Sequence, residues 1–143
     1  MKKLYLLLVV FVASGTLWAQ SGPKISFKTT EIDYGTVEKG DNGYRLIEFT
    51  NTGDAPLIIS RVKSSCGCTV AEKPDKPVMP GQKGRIKVHY NTRHVGPFRK
   101  TVTIYSNAVN VPNGVVVVKI KGRVVDPEKI NLDRPKPQSP VFR

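Results

Sequence analysis

Acidic residues are missing from the whole stretch between Lys76 and Val125, tryptophan occurs once, and histidine and cysteine occur twice each in 143 residues. Each shortage excludes something. The single tryptophan is Trp18, inside a segment expected to be removed, and the two cysteines are only two positions apart. A buried core tryptophan packed on an inter-sheet disulfide, the mark of antibody-type domains, is therefore ruled out. There is no G-x-S-x-G elbow, no H-E-x-x-H and no glycine-rich phosphate loop. His89 and His94 have no partner at motif spacing. The acids of the N-terminal third offer no distinguished pair for glycoside chemistry. A conventional enzyme is not expected.

Long apolar runs are also scarce. The only one, Leu4 to Val12, follows Lys2 and Lys3 and precedes small residues ending at Ala19. A basic start, a short apolar core and a small-residue exit are the order of a secretory signal peptide. The run falls short of the ~20 residues a spanning helix needs. Residues 1–19 are thus expected to be cleaved before Gln20, although Leu17 fits the small-x-small rule poorly and a retained anchor is the alternative. No transmembrane helix is expected in the mature form. It should be exported to the periplasm, the cell envelope or the extracellular space.

Charge is plentiful but one-sided. The chain carries +12, or +10 without Lys2 and Lys3. The acid-free stretch holds ten Lys or Arg, whereas Glu31, Asp33, Glu38, Asp41, Glu48 and Asp54 lie upstream. A field of one sign attracts anions, and Arg85, Lys87, Lys119, Lys121 and Arg123 are the residues expected to face an anionic glycan or lipid surface. Solvated strand faces and edge-protecting lysines explain the same pattern. Export makes nucleic acid an unsuitable partner.

Apolar and polar residues alternate in short segments punctuated by Gly, Pro, Asn and Asp, so the chain reads as all-β. Strands are expected at Lys24–Lys28, Gly43–Thr50, Leu57–Val62, Arg85–Tyr90, Arg99–Tyr105 and Val115–Val125. Turns are expected through Asp33-Tyr34-Gly35, Asn51-Thr52-Gly53-Asp54 and Pro80-Gly81, with a loop over Asn107–Gly114. Half-buried strands at this spacing suggest an Ig-like β-sandwich of about seven strands. One domain, residues 20–125, is expected. Residues 126–143 hold four prolines, at 127, 135, 137 and 140, and read as a flexible tail. No internal repeat is visible.

Ser65-Cys66-Gly67-Cys68-Thr69 is the one chemically unusual spot. Residues two apart in a strand point to the same side, but their Cα atoms lie ~6.6–6.8 Å apart, against ~5.5–6 Å in disulfides, so a bond requires a bend at Gly67. Three chemistries stay open. Export and an even count favour an inert local clamp. A labile disulfide or reactive thiol pair is the second, although C-x-x-C at a helix start is absent; Arg61 and Lys63 are cations that favour thiolate. The third is a soft metal, copper(I) or zinc, held by Cys66 and Cys68 with His89 or His94. Otherwise no cofactor is expected.

Five segments together carry a family resemblance: Asn51-Thr52-Gly53-Asp54-Ala55-Pro56-Leu57, Ser65-Cys66-Gly67-Cys68-Thr69, Pro80-Gly81-Gln82-Lys83-Gly84, Gly96-Pro97-Phe98-Arg99-Lys100 and Tyr105-Ser106-Asn107. Over roughly Gly35 to Arg123 the chain resembles domain-of-unknown-function family 1573, exported bacterial proteins related to Ig-like domains of the ASPM–Hydin type. The resemblance implies a β-sandwich and export, and it supplies no activity. Physical roles for its motif residues are fold-specifying. Gly53 is expected to take a positive φ, and Asn107 to satisfy loop backbone through its side chain. The expected function is an interaction or scaffolding module binding an unidentified envelope protein. A thiol-redox or metal-handling protein using Cys66 and Cys68 is the rival. A binder of anionic envelope polymer is the weaker third.

Overall fold

The computed structural model describes residues 21–132, so the expected signal peptide and the end of the tail lie outside the described residues. Among the described residues eight strands form two four-stranded sheets. They are β1 (Ile25–Phe27), β2 (Glu31–Glu38), β3 (Tyr44–Asn51), β4 (Ile59–Ser64), β5 (Thr69–Glu72), β6 (Lys83–Tyr90), β7 (Gly96–Ser106) and β8 (Val115–Val125). Sheet A has the order β1-β3-β6-β5 and sheet B the order β2-β8-β7-β4. β2 and β8 pair in parallel; the other pairs among these strands are antiparallel. The all-β sandwich expected from alternation is the architecture observed.

Period-two patterning decides which side chains meet between the sheets. In β6, Ile86, Val88 and Tyr90 are buried; in β8, Val118, Ile120 and Val124 are buried. With no core tryptophan, three other aromatic rings close one end of the sandwich. Tyr90 of sheet A stacks on Phe98 of sheet B with centroids 3.7 Å apart, and Tyr34 meets Phe98 edge-on at 5.4 Å. Burial pushes the Tyr34 phenol up to about 12.

Three asparagine amides tie the opposite loops. Asn51 is fully buried; its Nδ2 donates to the carbonyls of Ala55 at 2.7 Å and Val78 at 2.9 Å. Asn107 accepts from Ile58 N–H at 2.8 Å and donates to the Pro56 carbonyl at 3.1 Å, the backbone-satisfying role expected of it. Asn110 accepts from and donates to Ile25, each at 2.9 Å, which occupies the open edge of β1 with a side chain rather than a strand.

The sequence reading needs correction in four places. Asp33-Tyr34-Gly35 is not a turn between strands but an irregularity within β2, where the pairing with β8 shifts between Asp33 and Thr36. Asp33 Oδ1 accepts from Gly35 N–H at 2.7 Å and Gly35 has φ +65°, so turn chemistry is spent on a bulge. β5 is an additional short strand. Gly53 does not adopt positive φ; a Cβ there would lie 2.1 Å from the Gly22 carbonyl oxygen, so the glycine serves close approach. Residues Pro127–Leu132, expected to be irregular, form a short helix α1, whose start Asp126 marks by accepting from Glu128 N–H. Lys39 pairs with Asp126 at 3.1 Å and holds its carboxyl below the usual range. The Met79–Gln82 bend follows expectation: Gln82 N–H donates to the Met79 carbonyl across Pro80 and Gly81, with Gly81 at φ +77°.

Candidate functional site

Among the described residues the chain passes from sheet B to sheet A between β2 and β3 and again, through Ser65–Cys68, between β4 and β5; both cysteines lie in the second passage. Cys66 and Cys68 are joined by a disulfide, with Cα atoms 5.4 Å apart. The turn, not an extended strand, brings them within range. Gly67 is not in the positive-φ region, and nothing lies within 4 Å of a Cβ built on it. The bend therefore does not depend on glycine, contrary to expectation.

The turn is pinned to both sheets without help from sulfur. Ser65 N–H donates to the Thr101 carbonyl at 2.9 Å, and Thr101 N–H donates to Ser65 Oγ at 3.0 Å. On the other side, Asn91 N–H donates to the Cys68 carbonyl at 2.9 Å. Ser64 Oγ lies 3.0 Å from the Cys66 carbonyl and bonds the Thr69 carbonyl as well. Thr69, buried at 2% exposure, brings its hydroxyl to 3.7 Å from Cys66 Sγ.

A cleft of about 430 Å³ opens beside the turn, lined in part by Asp41, Gly67, Cys68, Val70, His89 and Arg93. Cys68 reaches it; Cys66 does not line it. The cleft continues into the outer face of sheet A, where pairing sets Tyr44, His89 and Val70 in one row and Leu46, Lys87 and Glu72 in the next. Tyr44, Leu46 and Val70 are 47%, 53% and 55% exposed. The His89 ring lies 4.3 Å from the Tyr44 ring, and Lys87 Nζ sits 4.6 Å over the same ring. Sequence reading missed this patch. The available signal was that Tyr44-Arg45-Leu46-Ile47-Glu48-Phe49 puts large apolar residues on both faces of one strand.

His94 is exposed in the loop after β6 and does not line the cleft that His89 lines. The proposed ligand set of Cys66, Cys68, His89 and His94 is not brought together as a metal site. Among the described residues no group of three or more His, Cys, Asp or Glu side chains is placed to hold a metal ion.

The basic residues expected to act together are divided. Arg85 and Lys87 lie on the outer face of sheet A, paired with Glu48 at 3.1 Å and Glu72 at 3.6 Å. Lys119, Lys121 and Arg123 lie on the outer face of sheet B, on the other side of the molecule. The reason is topological, since β6 and β8 share the same alternation but belong to different sheets. Lys121 bonds the Glu31 carboxylate, which lowers the Glu31 pKa and raises its own, and it lies 3.7 Å from Asp33. Pairing brings Arg99 beside Lys121, and Arg61 and Lys63 beside Tyr105 and Thr103 on the same face.

A family model described as protein of unknown function (DUF1573) matches residues 25–124. The chain belongs to that family. The match begins with β1, ends within β8 and includes the disulfide turn. No curated protein matches the chain. Among solved structures, a protein of unknown function from Porphyromonas gingivalis W83 is similar at 17% identity and TM-score 0.63, over 78% of this chain and 51% of that one. The chain thus spans about half the length of that protein. The ASH/PapD-like domain of human CEP192 is similar at 11% identity and TM-score 0.59, over 80% of this chain and 96% of that one. YadV chaperone is similar at 14% identity and TM-score 0.54, over 76% and 58%. These likenesses establish the sandwich fold. Among the described residues, no helix is long and apolar enough to cross a membrane.

Proposed function

We propose that the chain is an exported interaction module of the cell envelope that takes a protein partner on the outer face of sheet A. One observation carries this: Tyr44, Leu46 and Val70 stand in adjacent rows, each about half exposed, at strand positions where a solvent face ordinarily carries polar groups. Covering them returns roughly 25 cal/mol per Å² of apolar surface. The charges around them, Arg85 with Glu48 and Lys87 with Glu72, are already paired. The attraction is therefore apolar rather than ionic. The basic start and apolar run of the leader support export. A fold shared with a chaperone, a class that handles other proteins, agrees with a protein partner.

The test compares tagged full-length chain with a Leu46→Asp, Val70→Asp double variant in crosslinked envelope fractions. A partner that the wild type captures should be lost by the variant, while its circular dichroism and urea midpoint stay near wild type. Equal capture by both would overturn the assignment to this face.

A second reading has its own observation. Arg61, Lys63, Arg99, Lys119, Lys121 and Arg123 share the outer face of sheet B with three acids of β2, Glu31, Asp33 and Glu38. Such a face suits an anionic envelope polymer. Binding of that kind weakens steeply as salt rises, whereas binding to the sheet A face does not.

A further inference from the structure

The disulfide is poorly placed to act as a clamp. Its ring contains three residues, and constraint of the unfolded chain is least for the shortest loops. Hydrogen bonds from both sheets already hold the turn around it. It joins no two parts of the fold that would otherwise separate.

The surroundings of its two sulfurs differ in a way that suits exchange. Cys68 lines a cleft open to solvent, whose wall carries Arg93 and His89 together with Asp41, while exposed Gly67 presents no side chain to obstruct approach. Cys66 does not line that cleft but has the Thr69 hydroxyl at 3.7 Å. A disulfide sulfur carries no proton, so the hydroxyl is the donor, and the same bond stabilises negative charge on Cys66 Sγ.

We propose that Cys66–Cys68 is a thiol–disulfide exchange site whose substrate is a dithiol of another exported protein. A thiolate of the substrate enters the cleft that Arg93 helps to line and attacks Cys68 Sγ. The sulfur–sulfur bond breaks, its electron pair passes to Cys66 Sγ, and Cys66 leaves as a thiolate bonded by Thr69. The second substrate thiolate then attacks the substrate sulfur of the mixed disulfide and releases Cys68. The substrate dithiol has become a disulfide, and Cys66 and Cys68 hold the two electrons. Exchange is faster when the departing thiol has a low pKa, which makes Thr69 a positioning residue for the leaving group.

This site goes beyond the partner face and is tested without the partner. Wild-type full-length chain is treated with excess glutathione, quenched in acid, alkylated and mapped by fragmentation between residues 66 and 68. Glutathione should be found on Cys68 and the alkyl group on Cys66. Reduction by dithiothreitol is then timed for wild type, Thr69→Ser and Thr69→Val, over a range of pH. Thr69→Ser should keep the wild-type rate, and Thr69→Val should lose about threefold, as expected for a leaving thiol raised by ~1 pKa unit when the rate follows thiol pKa with a sensitivity of about one half. Glutathione on Cys66, or a folded wild-type disulfide that resists a large excess of dithiothreitol, would overturn the proposal. So would a Thr69→Val variant that is reduced as fast as wild type; if that variant does not fold, the wild-type mapping decides alone.

Discussion

Tyr34 Oη donates a hydrogen bond of 3.2 Å to the carbonyl of Gly43, so a phenol from sheet B holds the chain that enters β3 of sheet A. The same carbonyl also accepts from Tyr90 N–H at 3.0 Å. The backbone oxygen therefore keeps a partner if the phenol is removed.

That arrangement has an alkaline signature. The Tyr34 pKa is raised from 10.0 to about 12 by burial, with Arg45 opposing. A raised folded value leaves stability whole below the unfolded pKa and removes it as pH rises through the folded one. Wild-type stability should accordingly fall between pH ~10 and ~12. Tyr34→Phe should cost about 1 kcal/mol at neutral pH, as the loss of one hydrogen bond, and make the alkaline limb shallower, with a part left by Tyr90, whose phenol burial also raises. Urea midpoints of both proteins across that range check the sign.

Glycines that look equivalent in the sequence should behave oppositely. A Cβ on Gly67 meets nothing within 4 Å, so Gly67→Ala should leave the urea midpoint within about 0.5 kcal/mol of wild type. A Cβ on Gly84 would lie 2.3 Å from Phe49 and 2.8 Å from Val78. Gly84→Ala should then destabilise by roughly 1–3 kcal/mol through overpacking.

Much of the fold was legible because a half-buried strand writes its burial into alternate residues. Arg85–Tyr90 and Val115–Val125 are the clearest cases, and both are strands close to the expected bounds. What failed was information that is not local. Asp33 and Gly35 carry the same chemistry in a bulge as in a turn, and only the pairing of β2 with β8 distinguishes them. The cysteine pair could be found because cysteine is rare. The patch of Tyr44, Leu46 and Val70 could not be assembled, because it requires knowing that β6 lies between β3 and β5.

Removing the disulfide should cost little. Its short ring and the hydrogen bonds of Ser65, Thr101 and Asn91 leave the turn defined without it. A Cys66→Ser, Cys68→Ser double variant should fold and lose no more than about 2 kcal/mol, at the low end for native disulfides. Thermal unfolding of wild type with and without reductant provides the matching comparison.

Asn51 should be the costliest polar residue to replace. It is fully buried, its Nδ2 serves the carbonyls of Ala55 and Val78, and its Oδ1 accepts from Gly53 N–H at 3.0 Å. Asn51→Leu keeps much of the volume but strands those backbone groups, each costing roughly 1–3 kcal/mol when buried without a partner. The Val78 carbonyl also accepts from Leu57 N–H at 2.9 Å, which softens the loss there. Asn51→Asp retains the acceptor but loses both donors and places a carboxylate against two carbonyls. Its ionised form should be the less stable, so Asn51→Asp should gain stability toward acid pH until the carboxyl is protonated, while Asn51→Leu should not. Urea unfolding of the two variants at pH 4 and pH 7, each referenced to wild type, separates lost donors from buried charge.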